Sequence, residues 1–140
     1  MNQSTKIENI IDYVKAHNID FTHSKYVLYG RTDASNTSLF LFGGLGALSM
    51  KQYIMILGEN YLTLILLSMS GDFKESFTTI SYDDIFDISF KEGILTNLFI
   101  FRTDHEKIKI RCNKKIMGMP WQSTNMQSCL AHPVIAKYVQ

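Results

Sequence analysis

The side chains of this 140-residue chain that could take part in chemistry are carboxylates, imidazoles and amines. The densest carboxylate group consists of Asp83, Asp84 and Asp87. Paired acids can transfer protons or hold a cation. Asp83 and Asp84, however, stand at a polar corner between two apolar segments, where aspartate commonly hydrogen-bonds to nearby backbone groups. We therefore expect a turn at this corner rather than a catalytic or metal site.

The four histidines lie on separate predicted elements, and none is paired with a second ligand at the spacing of a zinc site. They are His17, His23, His105 and His132. The glycine-rich segment Gly43–Gly46 lacks the Lys-Ser/Thr ending with which a phosphate loop reaches phosphate and Mg²⁺. The sequence also lacks a serine-hydrolase elbow, a zinc-protease helix and a dinucleotide-binding fingerprint. It therefore predicts no enzyme, no cofactor and no metal ion.

The basic residues form one clear cluster. Five of the 14 lysines and arginines fall within nine consecutive positions, and they are Lys107, Lys109, Arg111, Lys114 and Lys115. The first three alternate with Ile108, Ile110 and Cys112, as in a strand with one basic and one apolar face. Such a stripe can bind lipid headgroups, phosphorylated ligands or an acidic protein. Alternatively, the lysines protect an exposed strand from edge-to-edge pairing. The nearby Asp104 and Glu106 weaken the positive field and favour this second interpretation.

A glycine-rich apolar segment, Leu39–Leu48, has the sequence LFLFGGLGAL. Such a segment must fold over the core, pair with another chain or touch a membrane. Pairing with a second copy would bury it and satisfy its backbone, which predicts a homo-oligomer with Leu41, Phe42 and Leu45 at the interface. The alternative is a membrane-surface role, in which this segment enters the bilayer interface while residues 107–115 meet anionic headgroups.

Length and composition indicate a globular protein with its own core. The hydrophobic fraction is 46 %, and 140 residues are enough for one domain. The formal net charge of +1 lacks the basic excess of a nucleic-acid-binding protein, so no nucleic-acid partner is expected. Two cysteines without a CxxC motif suggest buried free thiols in a reducing compartment. Residues 1–6 are polar, and no apolar run reaches the length of a membrane span, which predicts a cytoplasmic protein.

Residues 50–112 consist of short apolar segments with strand character, separated by turn residues. We expect a single domain over residues 1–140, with an N-terminal helical extension over 1–20, a β-sheet over 21–115 and a helix over 118–132. This order predicts a mainly β (α+β) fold. Its antiparallel sheet would be curled on itself or packed in two layers, and a C-terminal helix would close it.

Both predicted helices have an apolar side. In the N-terminal helix, Thr5 and Glu8 fit a capping box, and an apolar stripe follows at helical spacing. The stripe consists of Ile7, Ile10, Ile11 and Val14. In the C-terminal helix, Pro120 suits the first turn, while His132-Pro133 ends the helix and leaves a short tail. The residues expected on its buried side are Trp121, Met126, Cys129 and Leu130.

From Met50 onward the chain resembles the bacterial pleckstrin-homology-like (PH-like) domains, the YokE-like group in particular. The segments that carry the resemblance are KQYIMILGENYLTLILL and FTTISYDDIFDISFKEGILTNLFIF. Within the second segment, Ile80–Ile85 followed by Lys91–Gly93 looks like that family's I-x-Y-x-D-I … K-x-G pattern. The later KIKIRC strand and the terminal helix also match the order expected. The N-terminal helix lies outside the resemblance.

The resemblance implies a strongly bent antiparallel barrel or sandwich of about seven strands, capped at one opening by the C-terminal helix. It does not imply an enzyme. At the first hairpin, Glu59 stands where a phosphoinositide site would need lysines and arginines, so headgroup binding of that kind is not expected. The sequence therefore predicts a non-enzymatic binding or assembly module that self-associates or binds another protein. Binding to an anionic membrane surface is the alternative.

Overall fold

The computed structural model describes residues 5–32 and 51–139, which form one antiparallel sheet and three helices. The strands are β1 (Val27–Thr32), β2 (Lys51–Leu57), β3 (Tyr61–Leu67), β4 (Phe73–Ser81), β5 (Ile85–Glu92), β6 (Thr96–Thr103) and β7 (Lys107–Asn113). The helices are α1 (Ile7–Ala16), α2 (Trp121–Ala131) and α3 (Pro133–Tyr138). In the sheet the strands follow the order β4-β3-β2-β1-β7-β6-β5. The prediction of about seven antiparallel strands is confirmed.

The connection between β4 and β5 forces the sheet to bend. These strands lie at opposite edges of the sheet, yet only the turn Tyr82–Asp84 joins them. In a flat sheet, six inter-strand steps of about 4.8 Å would place the edges roughly 29 Å apart. The backbone from Ser81 to Ile85 reaches at most roughly 14 Å. The two edges must therefore curl towards each other, and the sheet acquires an inner and an outer face.

The inner face of the bent sheet holds the main core. Phe99 and Phe101 on β6 are fully buried there, together with apolar side chains from the other strands. Met126 and Cys129 on α2 and Ile135 on α3 belong to the same cluster and are buried. The C-terminal helices therefore close the inner face, as the resemblance implies.

A second core lies on the outer face of β1, β2 and β3. Ile10 and Val14 on α1 are buried in one cluster with Ile54, Ile56 and Ile65 from the sheet. Central residues of β2 and β3 are consequently buried on both faces of the sheet. This double burial explains why these strands have nearly continuous apolar sequences instead of an alternating pattern.

A buried amide side chain of α2 links β1 to β7. These two strands share a single paired position, Arg31 with Arg111. Next to it, Gln122 is fully buried, and its Oε1 accepts a hydrogen bond of 3.0 Å from the Tyr29 N–H. Its Nε2 donates to the Tyr29 carbonyl at 2.9 Å and to the Asn113 carbonyl at 3.0 Å. The Gln122 amide therefore replaces backbone pairing where the two strands diverge.

The buried side of α2 is more polar than expected. Met126 and Cys129 are buried as predicted, whereas Trp121 and Leu130 are only partly buried. Gln122 and Asn125 are buried as well, although the apolar pattern did not select them. Asn125 donates from Nδ2 to the Ser24 and Val27 carbonyls at 2.8 and 3.0 Å. Such burial is tolerated because the polar atoms are hydrogen-bonded to backbone groups.

Two local predictions about the helices are wrong. Lys6, rather than Thr5, is the N-cap of α1, and the Lys6 side chain forms no capping hydrogen bond. The chain after His132 is a short helix rather than a tail, because Ile135 has core to bury against and is fully buried. The expected end of α2 before His132-Pro133 is confirmed.

Candidate functional site

The outward face of β7 carries three of the predicted basic residues. Lys107, Lys109 and Arg111 lie on this face, while Ile108, Ile110 and Cys112 are fully buried on the other. The alternation read from the sequence is therefore present in the strand. These side chains project from the outer face of the sheet.

Strand register adds three more cations to the same surface. Arg31 on β1 is paired with Arg111, and Arg102 on β6 is paired with Lys107. Lys91 on β5 is paired with Leu98, which is itself the partner of Arg111. Residues directly opposite in an antiparallel sheet share a face. The basic face, as we define it, consists of Arg31, Lys91, Arg102, Lys107, Lys109 and Arg111.

Asp87 on β5 opposes part of the charge of the basic face. Asp87 is paired with Arg102 in the ladder, and its Oδ2 lies 3.0 Å from the Arg102 Nη1. The Arg31 Nη1 donates to the Asn113 Oδ1 at 2.7 Å, so a neutral oxygen orients this guanidinium. Like charges directly opposite each other destabilise a sheet. Sheet stability therefore does not explain why Arg31 faces Arg111.

The other two predicted basic residues lie elsewhere. Lys114 and Lys115 follow the end of β7 and line a cavity of about 390 Å³ between β5, β6 and α2. The Lys114 Nζ forms an ion pair of 2.9 Å with the Glu92 Oε2. The five residues of the sequence cluster are thus divided between two surfaces, because β7 ends at Asn113.

The segment that carries Asp83 and Asp84 forms a turn, as predicted. Asp83 and Asp84 lie exposed in the single 3₁₀ turn between β4 and β5. The Ser81 side chain, not an aspartate, caps this turn by accepting from the Asp83 N–H at 3.2 Å. Across residues 5–32 and 51–139, no three His, Cys, Asp or Glu side chains are grouped so that they could hold a metal ion.

His132 has a structural role beside an aromatic cavity. The cavity, of about 440 Å³, includes Tyr26, Tyr82 and His132 in its wall. The His132 Nδ1 accepts from the Val134 N–H at 3.1 Å, so Nε2 carries the proton and donates to the Gly58 carbonyl at 3.0 Å. Burial lowers the pKa of His132, against the raising effects of its Gly58 bond and of Asp20. Both ring nitrogens are occupied, which leaves neither for proton transfer to a substrate.

The remaining predicted residues, Leu41, Phe42 and Leu45, lie outside the described residues. Conversely, sequence reasoning missed Arg31, Lys91 and Arg102. These residues belong to the basic face because β1 pairs with β7 and β5 pairs with β6. The alternation within one strand does not show which strands pair. Pairing rules applied to the β6–β7 hairpin could have found Arg102 alone.

Comparison with protein-family models identifies the family to which the chain belongs. The model described as Bacterial PH domain matches residues 5–117, and the chain belongs to this family. The PH-like fold implied by the resemblance is therefore confirmed. The match begins before α1, so the expectation that the N-terminal helix lies outside the family region is wrong. No match was found among curated proteins or among solved structures.

Family membership supports a general role as a binding module, and PH-like domains are generally non-catalytic. Among the helices that the structure describes, none combines the length and the apolar character needed to cross a membrane.

Proposed function

We propose that this protein is a non-enzymatic binding and assembly module whose basic face binds an acidic surface of another protein. The observation that carries the proposal is the collection of six cations from four strands onto one face of the sheet. The face is spread over several strands of a sheet, and neither cavity described above is lined by any of its six residues. Such a broad surface suits a protein better than a small anion.

Rigidity favours a specific partner. The strands hold neighbouring cations at backbone-determined spacings of about 5 to 7 Å. Arg111 donates from Nη1 to the Thr96 Oγ1 at 3.4 Å, and Arg102 donates to both Asp87 and Ser89 at 3.0 Å. Guanidinium groups held in this way can pair with carboxylates in a fixed geometry. Complementary charge of this kind gives specificity and fast association.

Self-association stays part of the proposal. The apolar content of residues 39–48 supports contact between two copies through Leu41, Phe42 and Leu45. The alternative of membrane binding through residues 107–115 and 39–48 is less well supported by the structure than by the sequence alone. Lys114 and Lys115 lie apart from the three basic residues of β7, so the five residues do not form one surface. These two lysines border the cavity between β5, β6 and α2.

Charge reversal on the basic face tests the proposed function. The probe is a fluorescent peptide of ten glutamates, and its binding is followed by anisotropy at low and high salt. We expect Lys109→Glu with Arg111→Glu to weaken binding by on the order of tenfold or more. The matched control, Lys15→Glu with Lys74→Glu, changes the net charge equally on exposed residues of α1 and β4. Equal losses in both variants would show that only net charge matters and would contradict the proposal.

A further inference from the structure

Three large apolar side chains project from one end of the molecule. Ile94 and Leu95 in the β5–β6 turn are 91 % and 78 % exposed, and Met117 in the β7–α2 loop is fully exposed. The two loops are neighbours, because the Lys114 N–H donates to the Leu95 carbonyl at 3.0 Å. We name Ile94, Leu95 and Met117 the apolar tip. Single exposed apolar residues are ordinary, whereas a group of three in adjacent loops marks an interaction site.

The backbone holds the apolar tip outward. The Gly93 N–H donates to the Thr96 carbonyl at 2.9 Å, and a Cβ at Gly93 would lie 2.6 Å from that carbonyl oxygen. Only glycine fits this tight turn. In the second loop, a bridge joins Ile116 to Met119 around Gly118, whose φ is 88°. Both loops are thus short and internally bonded, so the apolar side chains are presented on fixed supports.

Lysines adjoin both loops of the apolar tip along the chain. Lys91 lies two residues before the β5–β6 turn, and Lys114 and Lys115 precede the β7–α2 loop. The acid within these two segments is Glu92, which is paired with Lys114 at 2.9 Å. Three lysines and one glutamate leave a local charge of +2. The arrangement is an apolar projection with a positively charged base.

We infer that the apolar tip inserts into the headgroup region of an anionic membrane. Aliphatic side chains on a projecting turn can enter the interface, while lysines at the base meet negative headgroups. The three side chains form a projection rather than a groove. They cannot by themselves supply the roughly 800 Å² per partner of a stable protein interface. Charge complementarity therefore favours a membrane as the occupant. The apolar tip with its adjoining lysines and the basic face have only Lys91 in common, and the tip substitutions leave all six residues of the basic face unchanged, so this inference does not rest on the proposed function.

Sedimentation with lipid vesicles tests the inference on the full chain. The vesicles contain phosphatidylcholine alone or phosphatidylcholine with about a third phosphatidylserine. We expect binding to the anionic vesicles at low salt, and a loss of at least about fivefold in Ile94→Ser with Met117→Ser. The control, Met69→Ser with Phe86→Ser, removes two exposed apolar side chains elsewhere and should bind as the unaltered protein does. Unchanged thermal transitions in both variants confirm that the fold is retained.

A dye attached at a new cysteine reports insertion directly. The native thiols are buried, so an environment-sensitive dye on Leu95→Cys labels the apolar tip. Its emission should shift to the blue with anionic vesicles, whereas the same dye on Met69→Cys should not respond. Three results would overturn the inference: no binding to anionic vesicles at low salt, equal binding to neutral vesicles, or binding unaffected by the tip substitutions. A loss of oligomer size in the tip variant would instead assign the tip to a protein contact.

Discussion

The side chain of His132 donates a hydrogen bond of 3.0 Å to the carbonyl oxygen of Gly58, which lies 74 residues earlier in the chain. The same carbonyl accepts from the Tyr82 hydroxyl at 2.8 Å. His132 also caps α3 through its other nitrogen. One backbone oxygen in the β2–β3 turn therefore ties together the β4–β5 corner and the junction of the two C-terminal helices.

The burial of His132 predicts a dependence of stability on pH. Burial lowers the pKa of His132 below its ordinary value of 6.5 in the folded protein. The unfolded chain therefore takes up the proton first as the pH falls, and the free energy of unfolding decreases below about pH 6.5. The stabilisation is fully present above that pH and is lost as the pH falls through the lower folded-state pKa. Urea unfolding at several pH values between 5 and 7.5 measures the slope.

His132→Asn isolates the contribution of this residue. Asparagine can still accept a hydrogen bond at the N-cap but does not titrate. We expect lower stability at pH 7.5, by roughly 1–3 kcal/mol because the buried Gly58 bond is lost, and a shallower slope towards acid. His105→Asn, on an exposed turn, should keep the original slope. If His132→Asn keeps it too, another group is responsible.

Gln122→Leu should be severely destabilising although leucine fits the size of the site. It would leave the partly buried N–H and C=O of Tyr29 and carbonyl of Asn113 without their side-chain partner. Each unsatisfied buried group costs roughly 1–3 kcal/mol, so a loss of about 3 kcal/mol or more is expected. The measurement is the midpoint of chemical unfolding. Gln127→Leu, on the exposed side of the same helix, is the control, and an equal effect there would argue against the bridging role.

Both thiols should be unreactive in the folded protein. Cys112 and Cys129 are free and fully buried, and burial raises the pKa of Cys112 to about 12 and that of Cys129 further still. The reactive thiolate is therefore scarce at neutral pH. A chromogenic disulfide reagent at pH 8 should titrate no thiol in buffer and two in urea. Rapid reaction of either native thiol would contradict this, and Leu95→Cys supplies a positive control.

The predicted homo-oligomer is tested through a residue outside the described part of the chain. If Phe42 lies at a contact between two copies, Phe42→Asp places a charge in a buried interface and should dissociate the oligomer without unfolding it. Light scattering measures the mass of both proteins. Phe86→Asp, at an exposed position on β5, should leave the mass unchanged. A monomeric unaltered protein would end the hypothesis, and an oligomer indifferent to Phe42→Asp would place the interface elsewhere.

Local patterns predicted the elements, whereas long-range pairing determined the site. The alternation in residues 107–112 identified β7 and its basic side, because each strand's period is visible in its own sequence. The partnership of Arg31 with Arg111 joins positions 80 residues apart and leaves no local trace. The burial of Gln122 could not be predicted from the sequence either. A buried amide side chain is tolerated only where backbone groups, here those of two diverging strands, form hydrogen bonds with it.

The Gln122 bridge has a consequence for synthesis of the chain. It joins Tyr29 to a residue 93 positions later, so β1 and β7 cannot be linked in this way until the beginning of α2 has left the ribosome. Until then, strands β1 to β7 carry an inner apolar surface that α2 and α3 do not yet cover. A growing chain in this state is open to unwanted strand pairing and to chaperones. The inner apolar face of the sheet is therefore protected from aggregation only after α2, in the last quarter of the chain, has been synthesised and has packed against it.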